Sequence, residues 1–415
     1  MDLLGDFGEE SGDPETTRGA GLPGIEGRQT AAVLLARLRS PHAATINSGQ
    51  GPIMQIMNVR QFHGASWRLR AAAGVLGLAL LAVRVSGQAR PVTAGFHIER
   101  LSPASYRILP RHARLVRVGT GFNWTEGPVW TPEGFLLFAD IRNNRIMKWR
   151  PGHGFSIFMH PSGYLGAGKY PGPESGSNGM TVDPRGRLTV AGHAQRDVWR
   201  LESYGAGARR TILADRYQGR RLNSPNDLVY GPHGALYFTD PPYGLPMQND
   251  RDPRKQLKVN GVYRILNAVR QRPGSPPNPR NLQLLIANLS RPNGIAFSPR
   301  QHYLYVDNTA PQELWMRYPV RSDGSLGRGR VFYNATGHSG PGAPDGMKVN
   351  RAGDIFSAGP GGLWIFSPQG KPLAIVHLPE VMANCAWGGG DRRTLYITAD
   401  TSLYRLRMNI PGLKP

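Results

Sequence analysis

The sequence predicts an all-β protein, a six-bladed β-propeller with four-stranded blades, and three observations support this fold class. Glycine and proline, with 53 and 36 copies, are too frequent for a helical bundle and suit a chain with many tight turns. Apolar residues make up 40% of the 415 residues, which is enough for a sizeable core. A hairpin-like motif recurs six times at intervals of about 40 to 67 residues, which is the period of propeller blades.

Each copy of the motif alternates apolar residues, turns through Pro or Gly, and resumes as an apolar strand. In the third copy these parts are residues 226–230, 231–234 and 235–240. Such a pattern predicts a β-hairpin. Further strands such as Gly261–Ile265 follow in most copies, which gives four strands per copy. The Pro-rich segment 272–280 is predicted to be a loop insertion. An all-β sandwich is the alternative fold, but it would not explain the recurring period.

A polar residue with a side-chain oxygen stands at the head of every copy. These six residues are Glu126, Asn178, Asn226, Asn293, Asp345 and Asn384. Equivalent positions on the innermost strands of a propeller surround its central channel, so the six side chains are expected to converge at one mouth. Asn and Asp are also common turn residues, which explains some copies but not Glu126.

The chemistry of this set indicates a site for a hard cation, because carboxylates and amide oxygens are present and thiolates are not. Ca²⁺ accepts six to eight oxygen ligands and is favoured. Mg²⁺ and Mn²⁺ are alternatives, whereas Zn²⁺ more often recruits His or Cys.

Several segments resemble the gluconolactonase family, also called the senescence marker protein or regucalcin-like superfamily. They are Glu126-Gly127-Pro128-Val129-Trp130, Leu222-Asn223-Ser224-Pro225-Asn226-Asp227, Thr239-Asp240-Pro241-Pro242-Tyr243-Gly244, Arg291-Pro292-Asn293-Gly294 and Pro344-Asp345-Gly346-Met347. The similarity covers about residues 105 to 408 in order. It implies a six-bladed propeller with one catalytic divalent metal in the channel, usually Ca²⁺ or Zn²⁺. On this resemblance the metal ligands are Glu126, Asn226, Asn293 and Asp345, and Asp345 is also the catalytic base.

The resemblance implies hydrolysis of a small-molecule sugar lactone such as an aldono-1,5-lactone. The metal would bind the ring carbonyl oxygen and stabilise the oxyanion that forms on attack by water. Asn178, His193 and Tyr243 are the candidate substrate-binding residues. His193 could equally be a buried structural residue, and Tyr243 could simply close its blade. The family's bacterial lactonases often carry Glu immediately before this His, where the chain has Gly192.

Two other functions remain open at this point. One is hydrolysis of another ester or of an organophosphate on the same scaffold. The other is a non-catalytic extracytoplasmic binding propeller with a structural ion in its channel. A nucleic-acid partner is not expected, because the net charge of +22 comes from scattered bases without a basic run or helix. The single cysteine, Cys385, excludes an intramolecular disulfide.

The first ninety residues differ in composition from the rest. Residues 1–56 are predicted to be disordered or an upstream extension of the gene model. Residues 57–89 resemble a signal peptide, with arginines, a 13-residue apolar run at 71–83 and then small residues. That run is too short to span a membrane, so no stable span is expected in the mature chain; a buried helix is the alternative. Residues 90–415 form the predicted lactonase propeller. If translation starts near Met57, a periplasmic or secreted protein is expected. If Met1 is the true start and the signal-like segment is not used, a cytoplasmic protein is expected.

Overall fold

The computed structural model describes residues 89–414, and their secondary structure is almost entirely β. The predicted segments 1–56 and 57–89 lie outside the described residues, except for Ala89. Within 89–414 no helix has the length and apolar character needed to cross a membrane.

Three strands and a short helix precede the first blade. The strands are β1 (Arg90–Pro91), β2 (His97–Arg100) and β3 (Leu115–Thr120), and the helix α1 (Ser105–Ile108) lies between β2 and β3. The remaining helical elements of the described residues are single 3₁₀ turns at Ile141–Asn143, His193–Gln195, Pro232–Gly234, Ala268–Arg270, Pro279–Asn281 and Pro299–Gln301.

The first three blades are four-stranded antiparallel sheets, with the strands in chain order from the inside outwards. Blade 1 consists of β4 (Thr125–Trp130), β5 (Leu136–Asp140), β6 (Arg145–Arg150) and β7 (Gly154–Met159). Blade 2 consists of β8 (Met180–Val182), β9 (Leu188–Gly192), β10 (Asp197–Leu201) and β11 (Arg210–Ala214). A small hairpin of β12 (Arg216–Tyr217) and β13 (Arg220–Arg221) follows. Blade 3 consists of β14 (Leu228–Tyr230), β15 (Leu236–Asp240), β16 (Gly261–Ile265) and β17 (Leu282–Ile286).

The last three blades repeat the arrangement and complete the six predicted blades, which confirms the fold class. Blade 4 consists of β18 (Pro292–Phe297), β19 (Tyr303–Asn308), β20 (Leu314–Pro319) and β21 (Arg330–Asn334). Blade 5 consists of β22 (Met347–Val349), β23 (Ile355–Gly359), β24 (Gly362–Phe366) and β25 (Pro372–His377). Blade 6 contains β26 (Met382–Gly388), β27 (Thr394–Ala399) and β28 (Ser402–Arg407).

The circle of six blades is closed by a strand from the N-terminal part of the described chain. β3 pairs antiparallel with β28, with Thr120 opposite Ser402 and Leu115 opposite Leu406, and so supplies the fourth strand of blade 6. β1 continues this sheet beyond β3, and β2 adds a fifth strand to blade 5 by pairing with β25. The repeat pattern did not predict these three strands.

The core lies between neighbouring blades, so the inner strands are buried on both faces. Every residue of Leu236–Asp240 and of Gly362–Phe366 is buried. This explains why these strands read as continuous apolar runs rather than as strict alternation. Between blades 4 and 5, the Trp315 ring lies 5.9 Å from Trp364 and 5.0 Å from Phe366, measured between ring centroids. Burial of such large aromatic surfaces between blades is the main stabilising contribution.

Polar side chains fix the hairpin turns inside the blades. Asp183 Oδ1 accepts hydrogen bonds of 2.9 Å from the backbone N–H groups of Arg185 and Arg187. Asn350 Oδ1 accepts the N–H groups of Ala352 and Asp354 in the same way, also at 2.9 Å. These are the turn interactions that Asp and Asn favour, and they orient each inner strand relative to the next.

Candidate functional site

Hydrogen bonds between blades link the residues that head the repeats. The N–H of Gly179, which follows Asn178, donates to the Asn226 carbonyl oxygen at 2.7 Å. The hydroxyl of Thr239 donates to the Asn293 carbonyl oxygen, also at 2.7 Å. Thr239 is itself tied to Asn226, whose N–H donates to its carbonyl at 2.9 Å. The start of each inner strand is therefore held against the next blade.

Glycines allow the other neighbours around the channel to approach closely. A Cβ on Gly127 would lie 2.2 Å from the Asn178 carbonyl oxygen, and one on Gly294 would lie 2.2 Å from that of Asp345. A Cβ on Gly346 would lie 1.9 Å from the side chain of Asn384. Distances below 3.0 Å exclude a side chain without movement. These contacts and the hydrogen bonds above bring the six repeat-heading residues together in one ring at the channel mouth.

A polar residue at the end of the second strand of a blade positions the segment that leads to the ring. Asp140 Oδ1 accepts the N–H of Asn123 at 2.7 Å, three residues before Glu126. In blade 3, the Asp240 carboxylate accepts the N–H of Asn223 at 2.8 Å. In blade 4, Asn308 Oδ1 accepts the N–H of Arg291, also at 2.8 Å. This role was not predicted, although a polar residue recurs at the end of these strands in the sequence.

Glu126 lies in a buried polar network at the channel. It is 2% exposed, and its Oε2 accepts hydrogen bonds from the N–H of Gly127 and from Asn384 Nδ2, the latter at 3.1 Å. Asn384 Nδ2 also lies 3.4 Å from Asp227 Oδ2, and Lys348 Nζ lies 3.5 Å from the same oxygen. Burial, followed by the charge of Asp227, raises the pKa of Glu126 from 4.5 to about 8. Asp227 and Lys348 were not among the predicted site residues.

On the opposite side, Asn293, Asp307 and Asp345 face the channel. Asn293 Nδ2 donates to the Thr309 hydroxyl at 3.1 Å, which leaves Oδ1 buried without a donor among the described residues. Asp307 Oδ1 accepts the N–H of Gly294 at 3.0 Å, whereas its Oδ2 is also buried without a partner in residues 89–414. Burial raises the pKa of Asp307 well above its usual value. Asp345 is partly exposed. The pKa of Asp345 is also raised well above its usual value, first by burial of the carboxylate and then by the charges of Glu126 and Asp307.

The predicted substrate-binding residues occupy different environments. Asn178 is 4% exposed, and its Oδ1 has no donor within the described chain. Tyr243 is partly exposed, and burial raises its pKa, with Asp345 contributing in the same direction. His193 is fully buried and both of its ring nitrogens are engaged, so its predicted substrate contact stays a prediction.

Glu174 supplies the carboxylate partner of His193. His193 Nε2 lies 2.9 Å from Glu174 Oε2, and Nδ1 lies 3.2 Å from the carbonyl oxygen of Pro225, the residue before Asn226. At Gly192, an added Cβ would lie 1.9 Å from Asp197 Oδ1. The carboxylate of Asp197, from the neighbouring strand, therefore occupies the place that a side chain at residue 192 would need.

The described ring fits a hard divalent cation better than a softer one. Oxygens of Glu126 (Oε1) and of Asn293, Asn178 and Asp307 have no donor among the described residues, which suits cation ligands. Within 89–414, no three His, Cys, Asp or Glu side chains are arranged to hold a metal. The predicted set draws two of its four ligands from Asn amides, and such mixed oxygen sets are typical of Ca²⁺.

The other end of the channel has a different character. A cavity of about 330 Å³ opens there, lined by residues further along the inner strands, including Val129, Val229 and Ala296. Lys348 contributes to its wall, and none of the described residues that line it is an Asp or Glu. The carboxylates that face the channel therefore lie at the end where the repeats begin.

Comparison with known proteins places this chain in a family. Residues 124–401 match the model of the SMP-30/Gluconolactonase/LRE-like region. A gluconolactonase from Zymomonas mobilis subsp. mobilis is 37% identical over 329 residues, covering 76% of this chain and 87% of that protein. A 6-deoxy-6-sulfogluconolactonase from Pseudomonas putida is 27% identical over 306 residues, covering 69% of this chain and 92% of that protein.

A solved structure agrees with both sequence relatives. The gluconolactonase from Xanthomonas campestris superposes with a TM-score of 0.65 at 30% identity, covering 79% of this chain and 99% of that one. Residues 124–401 include at least two strands of each of the six blades and every residue of the ring. The chain therefore belongs to the SMP-30/gluconolactonase/LRE-like family.

Proposed function

We propose that this chain hydrolyses sugar lactones, with one divalent metal ion bound at the channel mouth and Asp345 acting as the base. The enzyme class is that of its relatives, hydrolases of the carboxylic ester bond in a lactone. The observation that carries the proposal is the ring of oxygen-bearing side chains, in which Asn293 Oδ1 and Glu126 Oε1 point to no donor in the described protein.

Glu126, Asn226, Asn293 and Asp345 are the residues that would hold the ion, and Ca²⁺ is the first candidate, followed by Zn²⁺, Mg²⁺ and Mn²⁺. The electrostatics support a cation there, because burial raises the pKa of Glu126, Asp307 and Asp345, and the charge of Glu126 adds to this increase for Asp307 and Asp345. When bound, such an ion supplies positive charge that polarises the lactone carbonyl.

Asp345 is the proposed proton acceptor for the attacking water. A carboxylate held within reach of the attacking water can take its proton as a general base. The partial exposure of Asp345 gives water access to it. The proton then passes to the ring oxygen as the ester bond opens, which gives a hydroxy acid.

Residues at the rim of the mouth would orient the sugar. Asn178 Oδ1 is free to accept a hydroxyl hydrogen, and Tyr243 lies near Asp345 at the edge of the mouth. The pair of Glu174 and His193 fixes the backbone before Asn226 through Pro225. These groups would set which lactone fits, and binding in one orientation lowers the entropic part of the barrier.

The test is proton release from glucono-1,5-lactone by the full chain, followed with a pH-indicator dye. We expect hydrolysis to be lost with EDTA, restored by Ca²⁺, and strongly reduced in Asp345→Asn. A chain that binds Ca²⁺ but shows no hydrolysis of this or other lactones would be a binding propeller. Hydrolysis of aryl esters or organophosphates in preference to lactones would favour the other hydrolase function.

We also propose that the protein is exported, on the basis of the apolar run at residues 71–83 and the small residues after it. Sequencing the N-terminus of the native protein tests this. A mature chain beginning near residues 88–90 is expected, and one that retains residues 1–55 would contradict it.

A further inference from the structure

A second pocket lies next to the channel mouth, between the outer turns of blades 2 and 3. It has a volume of about 400 Å³ and is walled by Tyr164 and Tyr170, by the turn at Arg196, and by Arg221 and Arg254. The Tyr170 hydroxyl donates to the carbonyl oxygen of Gly244, the residue after Tyr243. The pocket therefore shares a wall with the candidate site, and its size suits a small-molecule ligand.

Three guanidinium groups converge on this pocket, and no Asp or Glu of the described chain lines it. Arg196 Nε donates to the Leu222 carbonyl at 2.7 Å, and Arg221 Nη2 donates to the Gln195 carbonyl at 2.5 Å. These anchors fix both side chains. They leave Arg196 Nη2 and Arg221 Nε buried with no acceptor among residues 89–414. Buried donors of a charged group without a partner are costly.

The charges of Arg196 and Arg221 repel each other. Burial lowers the pKa of Arg196, and the charge of Arg221 is the next largest contribution in the same direction. Placing two guanidinium groups together in a half-buried pocket is unfavourable unless an anion joins them.

The nearby carboxylates are engaged elsewhere. Asp240 accepts the N–H groups of Asn223 and Ser224, each at 2.8 Å. Asp252 accepts the N–H groups of Met247 at 2.7 Å and Arg254 at 2.8 Å. Within the described residues, neither carboxylate forms an ion pair with the three arginines, nor does Asp197, which lies near Arg221. The protein therefore leaves the positive charge of the pocket without a direct partner.

We propose that this pocket binds the oxyanion group of a small ligand, a phosphate, sulfate or carboxylate, through Arg196, Arg221 and Arg254. Guanidinium groups bind such anions through paired, charge-assisted hydrogen bonds, and the three arginines that line the pocket would supply the donors for them. The anion has two possible sources, an acid group carried by a lactone bound in the channel or a separate free anion. The pocket itself does not depend on the lactonase proposal; only the first source does.

The binding test uses calorimetric titration of the full-length protein with sodium sulfate, at an ionic strength held constant with sodium chloride. We expect saturable binding to the wild type. Loss of one charge-assisted contact should weaken it about tenfold in Arg254→Gln and in Arg196→Gln. Arg254 is exposed, so its replacement leaves the fold intact, and a thermal melt checks this for both variants. Arg216→Gln, at an exposed arginine of β12, is the matched control and should bind sulfate as the wild type does.

Absence of saturable binding to the wild type, or equal weakening in the control, would overturn the proposal. Hydrolysis kinetics then separate the two sources. A higher KM in Arg254→Gln for the 6-phosphate of glucono-1,5-lactone, but not for the neutral lactone, identifies the acid group of the substrate. Unchanged KM for both lactones, with sulfate binding weakened, identifies a free anion. An equal rise in KM for both lactones would contradict an anion site, because the neutral lactone carries no group for it.

Discussion

Asp197 provides a direct test of the electrostatics inferred for the turns around the mouth. The residue is 7% exposed, its Oδ1 has no donor among the described residues, and it faces Gly192 across the hairpin of β9 and β10. Burial raises its pKa from 3.8 to about 7, although Arg210 and Arg221 act in the opposite direction. The folded state therefore keeps a proton on Asp197 at pH values where the unfolded state has lost it.

The sign of the effect on stability follows from this proton. Between pH 3.8 and about 7 the folded state binds more protons than the unfolded state, so the free energy of unfolding falls as the pH rises. At about 1.4 kcal/mol per pH unit, the loss between pH 5 and pH 7 is about 3 kcal/mol as an upper limit. Above pH 7 the contribution is constant, because both states are then ionised.

The measurement is urea unfolding of the full chain at several values from pH 5 to pH 8, with the divalent ion concentration held fixed. Between pH 5 and pH 8, we expect the free energy of unfolding of Asp197→Asn to rise by up to about 3 kcal/mol relative to that of the wild type. Other buried acids, such as Asp240, are common to both proteins and cancel in the difference. Glu133→Gln, at an exposed carboxylate in the turn between β4 and β5, is the control and should leave the pH dependence unchanged. A difference between Asp197→Asn and wild type that does not vary with pH would show that Asp197 does not take up a proton on folding in this range.

Three further predictions concern the site and the ring of blades. Asp345→Asn should lower kcat for lactone hydrolysis by about 10²- to 10⁴-fold while the circular dichroism melt stays unchanged, and an unchanged kcat would remove Asp345 from the mechanism. Trp364→Ala should lower the free energy of unfolding in urea by about 3–5 kcal/mol, because this 1% exposed ring packs between blades 4 and 5. The control Ile157→Ala, at a 51% exposed side chain, should lower it by less than about 0.5 kcal/mol. A chain starting at residue 122 lacks β3 and should show no cooperative unfolding, whereas one starting at residue 90 should; equal unfolding of the two would show that the closing strand is dispensable.

The propeller could be predicted from the sequence because its signal is local and repeated. Each hairpin lies within about fifteen residues, and buried inner strands such as Leu236–Asp240 show as apolar runs. The closure of blade 6 was not predictable in this way. β3 joins β28 from nearly 290 residues away, and neither strand shows its partner in its own sequence.

The candidate site divides along the same line. The repeat-heading residues were predicted because one position recurs in every copy, and the structure places them in one ring. Their chemical roles remain predictions. The carboxylate of Glu174 at His193 could not be foreseen, because it comes from a loop without a repeat counterpart. The pocket at Arg196 and Arg254 is likewise assembled from turns far apart in the chain.

The proposed function requires one divalent cation at the channel mouth, held by Glu126, Asn226, Asn293 and Asp345. Crystals of the protein grown with Mn²⁺, measured for anomalous scattering, test it most directly. We expect a single strong peak in the mouth, with an oxygen of each of the four side chains within about 2.6 Å of it. A peak bound by other residues, or a mouth without one in crystals of a protein that needs the metal for activity, would contradict it.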